Sequence, residues 1–201
     1  MKRFLAFLLV SAVLVSFTTP SALKKSSKAA FKRGEKLSYR IHYGLINAGV
    51  AVLEVTDDTT TIGDSKTMHL VGRGRSIGAF NWFFKVRDQY ESFIDENHGT
   101  PSLFIRHVEE GDYKLDRTVI FNQKKKEAIV DDSTYSVPDK CQDLLSAFYH
   151  ARSLDLQGVR LNDTVKINTF FDYENYPLMI KYVGKETIDS DLGEIECLRF
   201  K

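Results

Sequence analysis

The sequence predicts a mainly β fold: a curved antiparallel sheet or partly closed β-barrel of about 9 to 10 strands with one covering α-helix. Three observations carry this. From Phe31 onward apolar residues recur with period two; clusters of turn-forming residues interrupt them roughly every 8 to 12 positions; and a single segment has helical spacing.

Before the fold comes a leader. Lys2 and Arg3 precede the apolar run Phe4 to Phe17, and small residues follow at Thr18, Thr19, Ser21 and Ala22. This is the pattern of a secretory signal peptide over residues 1–22. The run is shorter than the roughly 20 residues of a spanning helix, so an uncleaved anchor is the weaker alternative and no transmembrane span is expected in the mature protein. Residues 23–33, with Lys24, Lys25, Ser26, Ser27 and Lys28, read as a flexible lead-in, and residues 34–201 as one β-rich domain. A periplasmic or secreted location follows from the leader.

The strands are expected in sequence at Leu37 to Tyr43, Val50 to Val55, Lys66 to Arg75, Phe83 to Ile94, Leu103 to Glu109 and Tyr113 to Phe121. They continue at Glu127 to Val130, Thr164 to Phe171, Leu178 to Val183 and Glu194 to Phe200. In the first, Leu37, Tyr39, Ile41 and Tyr43 alternate with Ser38, Arg40 and His42, so one face is core and the other wet. The loop after it is expected to use Gly44 and Gly49 at positive φ, with a bulge or sharp bend near Ala48 and Gly49. "DDTTTIGDS", "ENHGTP", "EEGD", "NQKKK" and "DYENYP" supply further turns. In "VPDKCQDLLSAFYHARSL", Pro138 and Asp139 offer a helix start, and Leu144, Leu145, Phe148 and Ala151 form an apolar stripe.

The stretches "FKRGEKLSYRIHYGLINAGVAVLEV", "FKVRDQYESFID", "CQDLLSAFYHAR" and "KETIDSDLGEIECLRFK" resemble the exported bacterial domain-of-unknown-function family 3108, of the Bacteroidetes type. The resemblance spans most of the mature chain and implies no activity, so no catalytic residue is carried over from it. Family members are expected to run further in strands, whereas this chain ends within a strand pattern at Lys201.

Chemistry is constrained mainly by exclusion. The chain carries 28 basic and 27 acidic side chains, a net charge of +1, and loss of Lys2 and Arg3 with the leader leaves it near neutral. No global field favours nucleic acid. His42, His69, His98, His107 and His150 show no metal-ligand spacing, and no cofactor or metal is expected. "GRGRSIG" at Gly72 to Gly78 leads into "AFNWFF" rather than into a phosphate-binding helix, so Gly72 and Gly74 read as strand positions that need no side chain. Asp143, Ser146 and His150 share one helix, where solvation of an exposed face is the expectation rather than a triad. Asp88 lies among Val86, Tyr90 and Ile94 on one strand face and reads as an ion-paired or edge carboxylate. Cys141 and Cys197 read as free thiols, with a disulfide as the alternative.

Aromatic residues supply the one positive signal. Tyr39, Tyr43, Trp82 and Tyr90, with Leu144 and Phe148 from the helix, are the candidate ligand-binding residues, walling an apolar site under the helix. The expected function is an exported, noncatalytic cell-envelope protein that binds or carries an apolar or amphiphilic molecule. An envelope assembly factor that contacts polysaccharide or protein is the alternative, and an uncharacterised hydrolase ranks below both.

Overall fold

The computed structural model describes residues 30–44, 46–190 and 192–201; the predicted signal peptide and most of the lead-in lie outside the described residues. Eight strands form one antiparallel sheet in sequence order: β1 (Lys36–Tyr43), β2 (Ile46–Ile62), β3 (Ser65–Ser76), β4 (Arg87–Asp95), β5 (Pro101–Glu110), β6 (Tyr113–Asn122), β7 (Glu127–Val130) and β8 (Ser133–Ser136). A second sheet pairs β9 (Thr164–Phe171), β10 (Glu174–Ser190) and β11 (Gly193–Phe200) in the order β11-β10-β9. The helices are α1 (Phe80–Phe83) and α2 (Leu144–Arg152). β1 and β8 are both edges, so the large sheet does not close into a barrel, and the expected single sheet is divided in two.

The division follows from where α2 packs. Its Leu145 and Tyr149 join Val55, Leu70, Ile94, Phe104 and Val119 in the main core on the large sheet. Its Ala147 packs with Val165 and Ile167 of the small sheet. One short helix thus presents two apolar flanks, and each sheet buries one of them. Phe31 packs edge-on against Tyr149 at 4.7 Å, and Arg152 grips Glu35 through both carboxylate oxygens at 2.6 and 3.1 Å, which ties the start of the domain to the end of α2.

The helix begins at Leu144, five to six residues later than Pro138 and Asp139 indicate. Asp143 is its N-cap: the side chain accepts from the backbone N–H of Leu145 and Ser146, both at 2.8 Å, while the Ser146 hydroxyl accepts from Asp143 N–H at 2.9 Å. The residues before it are spent on β9, where Gln142 N–H donates to Asn168 and Phe170 N–H donates to Gln142. A backbone committed to that bridge cannot also turn helically.

The predicted strand at Phe83 also starts later, because α1 and Phe84 occupy the connection and β4 begins at Arg87. β8 was not predicted; its four residues carry no apolar alternation and are held by pairing with β7. The bulge expected near Ala48 is present: Ile41 pairs with Gly49 and His42 with Asn47, leaving Ala48 unpaired. Gly44 has φ +60° as expected. Gly49 does not have a positive φ; its reason is close approach, since a Cβ there would lie 3.0 Å from the Arg75 carbonyl oxygen.

Strand β10 contains Pro177, which pairs with Asn168 of β9; β11 pairs with β10 only from Tyr182 onward, so the missing N–H of Pro177 falls on an unpaired edge. The β9–β10 turn places Asp172 at φ +46° and Tyr173 at φ +68°. It aims the Asp172 carboxylate between Arg106 at 2.6 Å and Arg117 at 2.7 Å, with the Arg106 guanidinium 4.2 Å from the centre of the Phe171 ring. This corner locks the small sheet against the large one.

Candidate functional site

Antiparallel partners share a face, so the register defines what the side of the large sheet facing α2 offers. One row reads Leu37, Leu53, Gly72, Tyr90 and Arg106; the next reads Tyr39, Ala51, Gly74 and Asp88; beyond it lie Ile41, Gly49 and Ser76. The middle of each row is small. Tall side chains stand on both sides of a trough whose floor is nearly bare backbone.

The trough forms a cleft of about 370 Å³ walled by Ala51, Leu53, Tyr90, Leu144 and Phe148 over the floor of Gly72 and Gly74. The two glycines differ. A Cβ on Gly72 would come within 3.2 Å of Leu53 Cδ2, whereas nothing lies within 4 Å of a Cβ on Gly74. Leu144 and Phe148 are the exposed pair of α2, one turn apart, and they lean over this space while Leu145 and Tyr149 are buried beneath.

One ionisable group enters the wall. Burial pushes the Asp88 carboxyl above its ordinary value, and the charge of Glu110 adds to this against the opposing hydrogen bond from Glu109 N–H at 3.2 Å. The ion-paired alternative for Asp88 is not met: among the described residues no cation is within ion-pair distance of it, Arg75 lies on the opposite face, and Arg106 acts on it only through its charge. Tyr90 beside it is backed by Arg106, 5.8 Å from the ring centre.

Three of the predicted site residues, Tyr90, Leu144 and Phe148, meet at this cleft. Tyr39 shares the row of Gly74 and Asp88 but stands at the β1 edge. Tyr43 packs edge-on against Phe80 at 5.9 Å and Trp82 is 89% exposed on α1, so both belong to the far tip of the sheet and not to the cleft. The floor residues Gly72 and Gly74, and Ala51, were not recognised as site residues. Their signal was the absence of side chains at alternate positions, legible as a pocket only once their neighbours across the sheet are known.

The helical trio resolves differently from a solvated face. Asp143 and Ser146 are buried, and Asp143 Oδ2 also accepts from the Ser92 hydroxyl at 2.6 Å. Burial pushes Asp143 up to about 6 despite these hydrogen bonds. Asp143 is a buried structural cap whose two carboxylate oxygens are taken up by Leu145, Ser146 and Ser92. Among the described residues no set of three His, Cys, Asp or Glu side chains is placed to hold a metal, and no helix is long and apolar enough to cross a membrane. Both cysteines are free; burial, then the charge of Asp143, pushes the Cys141 thiol up to about 12.

A mainly β, two-sheet domain with a glycine-floored cleft under a helix is the class of protein these features define. Residues 38–201 match the family model described as protein of unknown function, DUF3108, and the chain belongs to that family. No curated protein and no solved structure matches it.

Proposed function

We propose that the protein is an exported, noncatalytic cell-envelope component that binds an apolar or amphiphilic molecule in the cleft beneath α2. The observation that carries this reading is the floor of Gly72 and Gly74, which keeps about 370 Å³ open between apolar walls where ordinary strand residues would fill it. That volume sits at the low end for small-molecule sites, roughly 300 to 1,000 Å³, and fits one short chain or ring. Asp88 gives the cleft a carboxylate acceptor at one end, beside the Tyr90 hydroxyl. A ligand headgroup that donates hydrogen bonds, a hydroxyl or an amine, suits it better than a carboxylate, which Asp88 and Glu110 would repel.

The test is displacement of an environment-sensitive apolar dye from the protein by a fatty alcohol, an alkylamine and a fatty acid of equal length. Displacement by the alcohol and the amine ahead of the acid, lost in Gly74→Val, supports the reading. Absence of dye binding, or dye binding untouched by Gly74→Val, refutes it. Intrinsic fluorescence is no substitute, because Trp82 lies outside the cleft.

A further inference from the structure

At the far tip of the large sheet the residues flanking the β1–β2 connection and those of the connection through α1 expose a cluster of aromatic and aliphatic side chains, with Asn47 and Lys85 as their exposed polar neighbours. Trp82 is 89% exposed and Phe83 86%, with Phe84, Tyr43 and Ile46 exposed beside them. Such residues are not left in water by loose packing here. The tip is braced: Asn81 Oδ1 accepts from Ser76 Oγ at 3.2 Å and from Arg87 Nη2 at 2.8 Å, Phe84 N–H donates to Phe80, and Ile77 N–H donates to Ala48 across to β2. A rigid scaffold therefore holds the aromatic rings outward.

Directly behind the tip, on the face opposite the cleft, Arg40, Arg75 and Arg87 stand in one cross-strand row, interrupted only by Val50. The carboxylates around them are already engaged: Glu54 with Lys36 and Arg73, Glu109 with Lys85 and Lys114, Asp116 with His107. None of the three arginines has a carboxylate ion-pair partner among the described residues. A groove of about 360 Å³ lies along this row, between Arg75, Arg87 and Val52.

We propose that this tip docks on an anionic phospholipid surface, with Trp82, Phe83 and Phe84 entering the headgroup boundary and the exposed Arg40 and Arg75 meeting lipid phosphates, while Arg87, held by Asn81 and Ser76, braces the tip behind them. Aromatic rings with an apolar body favour that boundary, and basic residues just behind them add attraction to anionic lipid. A second copy is a poor occupant, because a contact of this tip with itself brings no unengaged carboxylate to the arginines. The floor of the cleft under α2 runs along β2 and β3 toward this same end, but the docking surface stands without any ligand in the cleft.

Trp82 is the only tryptophan, so its emission reports the tip even in the full chain. With vesicles of phosphatidylcholine and phosphatidylglycerol, Trp82 emission moves to shorter wavelength and brominated acyl chains quench it; with phosphatidylcholine alone the effect is weaker, and salt reduces it. Arg40→Gln with Arg75→Gln, two exposed positions without side-chain partners, weakens binding to the anionic vesicles on the order of 30-fold. Gly74→Val leaves this binding unchanged, which separates failure of docking from failure of the cleft. Unmoved Trp82 emission, an equal response to neutral vesicles, or a blue-shifted Trp82 in a lipid-free dimer overturns the proposal.

Discussion

Gly74→Val asks whether the space under α2 is a built cleft or a packing gap. In β3, Gly74 pairs with Ala51 on one side and Asp88 on the other, and its φ lies in the range that any residue adopts. A glycine inside a strand costs roughly 0.5 to 1 kcal/mol relative to alanine. Valine adds β-branched preference for an extended backbone. Since nothing lies within 4 Å of a Cβ there, the substitution carries no clash to offset these gains. The expected change is a stabilisation of roughly 1 kcal/mol, or a rise in Tm of about 2 to 4 °C for a chain of this size. Thermal unfolding followed by circular dichroism measures it, and dye displacement on the same sample should show affinity for the apolar ligand down at least about tenfold, near 1.4 kcal/mol. A residue that weakens the fold when absent and obstructs the site when present is a signature of function placed above stability. A lower Tm for Gly74→Val would refute the reasoning, because it would mean that the space is closed in solution.

The neighbouring glycine behaves oppositely. Gly49→Val drives a Cβ to 3.0 Å from the Arg75 carbonyl oxygen at the bulge, and is expected to cost about 1 to 3 kcal/mol in chemical denaturation; an unchanged midpoint would contradict the close approach. Asp143 titrates against the usual direction for a carboxylate: its folded value near 6 exceeds the ordinary 3.8, so the folded chain holds a proton that the unfolded chain releases between these values. Its contribution to stability is greatest below about pH 4 and falls as pH rises to about 6, and Asp143→Asn, which preserves a capping oxygen, should flatten the measured pH profile in that window. Asp172→Ala removes the anion shared by Arg106 and Arg117; because the Asp172 side chain remains 47% exposed, the loss should be about 1 to 2 kcal/mol, below the roughly 3 to 5 of a fully buried pair, and a loss within error would show that the Phe171 and Tyr173 rings alone hold the corner. Cys141, buried and with its thiol pushed up to about 12, should resist alkylation until the chain unfolds, whereas Cys197, partly exposed, should react in the folded protein; mass spectrometry of the labelled peptides decides between them.

Period-two alternation was enough to place most strands, because a strand with one wet and one buried face writes that contrast into every second residue. Glu127–Val130 and Thr164–Phe171 fall where that pattern puts them, as does the bulge at Ala48, where small residues cluster. Family membership was equally legible, since it rests on residue pattern alone. Other features depend on distant parts of the chain. β8 exists because β7 offers it an edge, and the start of α2 is set by a capping box and by hydrogen bonds of Gln142 to Asn168 and Phe170, which belong to a strand later in sequence. The candidate site shows the same limit most clearly. Aromatic content pointed to Tyr39, Tyr43, Trp82 and Tyr90 together, yet the register carries Tyr90 to the cleft and the α1 connection carries Trp82 to the opposite use of an aromatic ring, facing outward. A pocket is made of what is missing between residues far apart in sequence. Which missing side chains fall side by side is decided only by the pairing of β2, β3 and β4 and by the helix that leans over them.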